Sequence, residues 1–177
     1  FIIFLISLSI FFIANVKLVY FFLLGGIMIP LSVFLLFTRR YWVEKVMVFL
    51  KLMDDPSGSG YQVSQAQAAL VNGGFLGNGL GQGIKKLGPL PEADSDFIFA
   101  VLGEEMGFLG ILIILLLFIL LAFRGYYIAF RCEDRFLYYL AFGITSSVVM
   151  QSILNITVVI GLIPATGIPL PFFSLGG

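Results

Sequence analysis

Residues 97–123, FIFAVLGEEMGFLGILIILLLFILLAF, decide how the rest of the chain is read. This 27-residue run carries only Glu104 and Glu105 as charges, and about 20 apolar residues suffice to take a helix across ~30 Å of hydrocarbon. It therefore predicts a membrane span. A polar lead, LPEADSD (Leu90 to Asp96), feeds into it, with Pro91 ahead of the helix and Asp94, Ser95 or Asp96 able to cap its first amides. Because one of the other two suffices as a cap, Asp96 is a candidate for chemistry, a carboxylate where water meets lipid. Glu104 and Glu105 fall roughly 12 Å deeper at 1.5 Å per residue. Ionised carboxylates near mid-bilayer cost about 2.5–3.5 kcal/mol each, so both are expected to face protein or a wet cavity. Around a regular helix Glu104 lies about 80° and Glu105 about 180° from Asp96, so the three are not expected to share one pocket. Gly103, Gly107 and Gly110 supply the small-residue seam of a closely packed membrane helix.

Composition extends that reading to the whole chain. Hydrophobic residues make up 60% and charged residues 11%, with a mean hydropathy of +1.08; a soluble domain has about 25% charged residues. The expected fold class is all-α, a polytopic helical membrane protein with about four spans and a long extracytoplasmic loop holding short interfacial helices. Zero net charge argues against a nucleic-acid partner. With no histidine, imidazole cannot serve as metal ligand or general base, and no metal site is identified. The single Cys132 cannot form an internal disulfide and is expected to be a cytosolic thiol.

Working outward, Phe1 to Ala14 is a 14-residue uncharged run expected to be a truncated span, and nothing in it resembles a cleavable signal peptide. The chain is accordingly read as a fragment of a larger protein. Leu18 to Phe37 is long enough to cross, with Gly25, Gly26 and Pro30 permitting close packing and a kink. The 59 residues from Thr38 to Asp96 form the expected outer loop. Within it, Arg39 to Met53 reads as an interfacial helix and Tyr61 to Val71 as a short helix with Gln62, Gln65 and Ala69 on one side. The glycines from Gly73 to Gly88 fail the P-loop and dinucleotide-binding spacings. They leave two readings, backbone amides approaching an anionic head group beside Lys85 and Lys86, or a mobile loop whose tight turns need glycine.

Arg124 to Arg135 carries three arginines and is expected to be a cytoplasmic loop, which puts Asp96 outside the cytoplasm. Phe136 to Ile163 is a charge-free span with a polar stripe, Ser147, Gln151 and Asn155, expected to bond to other helices. Pro164 to Gly177 has three prolines and cannot be a regular helix, so it is read as a fixed outer loop on the side of Asp96.

Three stretches then carry a resemblance: GYQVSQAQAAL followed by NGGFLGNGLGQG, LPEADSDFIFAVLGEEMGFLG, and GLIPATGIPLPFFSLGG. In this order they resemble the C-terminal half of the SEDS proteins (shape, elongation, division and sporulation; FtsW, RodA and SpoVE), with Tyr61-Gln62 and Lys85-Lys86-Leu87 nearer the FtsW and SpoVE branch. The resemblance implies a peptidoglycan glycosyltransferase of the bacterial plasma membrane. It would polymerise lipid II, disaccharide-pentapeptide on undecaprenyl diphosphate, beside a class B penicillin-binding protein and the divisome or elongasome. The family's essential carboxylate, within His-Thr-Asp-Phe-Ile-Phe, falls on Asp96. Here Asp94 and Ser95 replace the His and Thr, placing a second negative charge two residues away. Lys85, Lys86, Glu92 and Arg39 are the candidate substrate-binding residues, and cationic side chains or a divalent cation would offset the charge of the leaving diphosphate. Two other functions stay open at this point: a lipid II flippase, which intramembrane Glu104 and Glu105 would suit, and a non-catalytic scaffold for a penicillin-binding protein.

Overall fold

The computed structural model describes residues 2–38, 40–50, 58–79, 81 and 96–174. They form six helices, α1 (Ile2–Ile13), α2 (Leu18–Thr38), α3 (Arg40–Phe49), α4 (Ser59–Gly73), α5 (Ile98–Arg131) and α6 (Arg135–Val159), with no strand among them. The all-α class expected from the apolar runs is what the chain adopts. Both α5 and α6 are long and apolar enough to cross a membrane, and α1 is a shorter apolar helix. Pro30 sits inside the 21-residue α2, where it removes one backbone donor.

The stretch from Arg124 to Arg135 is not a loop. Its residues remain helical in α5 as far as Arg131, and α6 opens at Arg135, so the connection shrinks to residues 132–134. Two side chains account for this tight reversal. Asp134 caps α6 by accepting from the amides of Phe136 (2.7 Å) and Leu137 (3.2 Å). Arg131 closes the last turn of α5 with its guanidinium 4.4 Å from the Tyr127 ring.

Nor is α5 one continuous helix. Gly107 takes φ 66°, ψ −165°, splitting it after two and a half turns. A helix break frees backbone groups that the apolar interior cannot solvate. Here the turn after α4 satisfies them: Asn78 and Gly79 donate to the carbonyls of Glu104 and Glu105 (both 3.0 Å), while Phe108 and Leu109 donate to those of Gly74 and Phe75 (3.0 and 3.3 Å). This reciprocal clasp requires backbone contact without side chains. A Cβ on Gly107 would strike the Gly77 amide, one on Gly77 the Glu105 carbonyl, and one on Gly73 the Gly103 carbonyl.

The packing face of α4 is small and apolar. Ala66, Ala69 and Gly73 are buried against α5, with Val63 and Leu70 beside them; of Gln62, Gln65 and Ala69, only Ala69 is buried. The buried core joins these residues to Phe97, Phe99, Ala100 and Val101 at the start of α5, Val158 and Val159 at the end of α6, and Leu170 beyond it. It therefore surrounds the point where Asp96 enters α5. On the far face of α6, Gly143 admits α1, a Cβ there lying 3.1 Å from Ile10 Cδ1.

Candidate functional site

Asp96 immediately precedes Phe97, the N-cap of α5, and that cap has no side-chain hydrogen bond. The Asp96 carboxylate stands one residue ahead of that cap, at the mouth of α5. The backbone around it is held firmly. Phe97, the residue after it, is 2% exposed and lies in the core, and the carbonyl of Asp96 accepts from Asn155 Nδ2 at 2.7 Å.

That amide does two things at once. Asn155 Nδ2 also donates to the Ile168 carbonyl at 2.8 Å, and one turn earlier Gln151 Nε2 donates to the Pro169 carbonyl at 3.1 Å. Gln151 and Asn155 of the polar stripe therefore serve the segment 160–174 and the entry to α5, where bonds to other helices were expected. The physical reason lies in that segment. Pro164, Pro169 and Pro171 lack amides, and a non-helical backbone leaves carbonyls that only side chains can satisfy. Secured in this way, the segment packs inward, with Leu170 at 0% exposure and Pro171 and Ser174 buried.

Gly167 completes the wall facing the carboxylate. It takes φ 69°, a conformation natural to glycine, and a Cβ there would stand 3.4 Å from Asp96 Oδ2. Lys45 ties α3 to the same segment by donating to the Ala165 carbonyl at 3.0 Å, and Gln67 of α4 donates to the Ile160 carbonyl at 3.0 Å. Between these ties lies a cavity of about 180 Å³ lined by Lys45, Val63, Ser64, Gln67, Gly161 and Pro164. It opens beside the segment's start and is not lined by Asp96.

Among the residues singled out from sequence, Asp96, Gln151 and Asn155 come together around one loop. Glu104 and Glu105 lie deeper in α5, both buried, on the turn before the Gly107 break. Their carbonyls receive the amides of Asn78 and Gly79. Those two amides therefore serve the helix break and not a head group. Arg39, Lys85, Lys86 and Glu92 lie outside the described residues. Among the described residues no three acidic or cysteine side chains cluster as a metal site would require. Sequence reasoning did not single out Lys45 or Gly167. For Gly167 a signal existed, a lone glycine between Thr166 and Ile168, β-branched residues that avoid positive φ.

With this geometry in hand, the chain can be set beside known proteins. Residues 1–177 match the FtsW/RodA/SpoVE family, described as cell cycle protein. The "Probable peptidoglycan glycosyltransferase FtsW" of Borreliella burgdorferi is 48% identical over 166 residues, which cover 94% of this chain and 46% of the relative. "Stage V sporulation protein E" of Bacillus subtilis is 44% identical over 94% of this chain and 45% of its own length. The solved structure titled "Structural coordination of polymerization and crosslinking by a peptidoglycan synthase complex" shares the fold, with a TM-score of 0.75 at 23% identity, covering 98% of this chain and 48% of that one. The chain thus spans about half the length of the curated relatives it matches. Matched along all 177 residues and similar to FtsW and SpoVE relatives over nearly its whole length, it belongs to the FtsW/RodA/SpoVE family, the SEDS proteins.

Proposed function

We propose that the full-length protein is a peptidoglycan glycosyltransferase that polymerises lipid II, with Asp96 as general base on the extracytoplasmic side of the plasma membrane. The observation that carries this reading is the placement of Asp96. It is a carboxylate one residue ahead of the α5 N-cap, its carbonyl is pinned to α6 by Asn155, and its Oδ2 faces Gly167. The printed names of the relatives supply the reaction class, peptidoglycan glycosyl transfer.

Depth supports the same assignment. Asn155 follows Arg135 by 20 residues, about 30 Å along a helix, which is the thickness of the hydrocarbon layer. If the connection at 132–134, flanked by Arg131 and Arg135, marks the cytoplasmic edge, Asp96, bonded to Asn155, marks the opposite one. A lipid-linked sugar presents its head group there while its tail stays in the membrane.

In the proposed reaction Asp96 takes the proton from the acceptor sugar hydroxyl as that oxygen attacks the donor's anomeric carbon. The bond from this carbon to the diphosphate oxygen breaks, and undecaprenyl diphosphate departs with the electron pair. Cations must offset the departing charge. Lys85, Lys86 and Arg39 are the candidates in this chain, beside a class B penicillin-binding protein as partner.

Polymerisation of lipid II by the full-length protein purified in detergent tests this, since moving a lipid across a bilayer has no meaning there. The wild type is expected to form polymer, and Asp96→Asn to lower the rate on the order of 10²- to 10⁴-fold. Retained polymerisation in Asp96→Asn removes the base assignment. A wild type that makes no polymer under conditions where it is folded returns the site to a transporter or a scaffold.

A further inference from the structure

The base and the wall that faces it are held by one side chain. Asn155 is 1% exposed, and its Nδ2 reaches both the Asp96 carbonyl (2.7 Å) and the Ile168 carbonyl (2.8 Å). Both partners are acceptors, so the amide's orientation is fixed by chemistry: nitrogen toward the site, oxygen away. That oxygen, Oδ1, is buried with no hydrogen-bond partner among the described residues. One turn earlier, Gln151 adds a second bond to the same segment through the Pro169 carbonyl. Ile168 adjoins Gly167, whose absent Cβ leaves the space next to Asp96 Oδ2 open.

We propose that Asn155 is a positioning residue for the transfer reaction. By holding the carbonyls of residues 96 and 168 on one nitrogen, it sets the gap between the base carboxylate and the 164–174 segment through which the acceptor hydroxyl must approach. Both hydrogen bonds of the Asn155 amide go to backbone carbonyls, so it acts through Asp96, and the proposal rests on the reading of Asp96 as the base. A gap set by two short bonds responds sharply to their loss, because misplacing a reacting group by about 1 Å costs on the order of 10²-fold in rate. The expected signature is a fall in kcat with little change in KM, the pattern of an interaction that matters in the transition state and not in ground-state binding.

The deciding variant is Asn155→Asp, which keeps the shape but turns an oxygen toward two carbonyl oxygens. In lipid II polymerisation by the full-length protein it should lower kcat on the order of 10²-fold with KM within about threefold. Combined with Asp96→Asn it should cost almost nothing further, since both act through one group. Thr157→Val, which alters a hydroxyl bonded within α6 itself, should remain near wild type. Unchanged kcat in Asn155→Asp, a rise in KM alone, or full additivity with Asp96→Asn overturns the proposal. Should Asn155→Asp not be recovered folded, Gln151→Leu carries the test. It removes the outer bond only and should lower kcat in the same direction by a smaller factor, and an unchanged kcat there likewise overturns the proposal. The base reading fails separately, if Asp96→Asn alone keeps polymerising.

Discussion

Gly107 carries the heaviest conformational demand of any single residue in α5. Its φ of 66° is in the left-handed region, and a Cβ would meet the Gly77 amide and the Phe75 carbonyl, both rigid backbone. Left-handed strain of about 1–3 kcal/mol and overpacking of similar size act together at this point. Gly107→Ala should therefore destabilise by at least about 2 kcal/mol, read as a lowered thermal unfolding midpoint in detergent. Gly25 in α2 gives the contrast, since a Cβ there meets nothing within 4 Å. Gly25→Ala should be neutral or stabilising by up to about 1 kcal/mol. Equal effects at the two glycines would show that the clasp at Gly107 does not hold.

Among the elements, α6 owes its sharp start to Asp134, which satisfies two of the first amides. Asp134→Ala should cost about 1 kcal/mol, measurable in the same unfolding assay with lipid II polymerisation unaffected. The elements also show what the sequence could convey. Apolar runs announced α2, α5 and α6, because the need to bury backbone polar groups in a helix leaves a composition signal that no tertiary partner alters. The non-helical character of Pro164 to Ser174 was legible for the same local reason, since three prolines remove three donors. The break in α5 was not legible. Glycines at 103, 107 and 110 fit a packing seam as well as a kink, and only the arrival of the 73–79 turn decides between them. The α6 stripe was visible as Ser147, Gln151 and Asn155, but its partners lie 13 to 59 residues away and depend on which carbonyls the prolines leave unsatisfied. At the other end, Arg124 to Arg135 looked like a loop because its charges outweighed a helical register that continues to Arg131.

Taken whole, the molecule places its tight packing at one end. Phe97, Ala100, Val159 and Leu170 are sealed around Asp96, whereas Leu112, Leu116, Ile119 and Phe123 along α5 are at least half exposed. Such a continuous apolar surface is what lipid or further spans would cover, and the relatives are about twice this chain's length. On the proposed reading the packed end faces outward and the 132–134 connection faces the cytoplasm. Thiol labelling tests this directly, because Cys132 is the single cysteine and lies in that connection, partly exposed. In spheroplasts carrying the full-length protein, with any cysteine outside this region replaced, a membrane-impermeant maleimide should leave Cys132 unlabelled until the membrane is permeabilised. With Cys132→Ser and Thr166→Cys, the exposed position beside Gly167 should label at once in intact spheroplasts. Immediate labelling of Cys132, with Thr166→Cys protected until permeabilisation, would place Asp96 on the cytoplasmic side and contradict the proposed reaction.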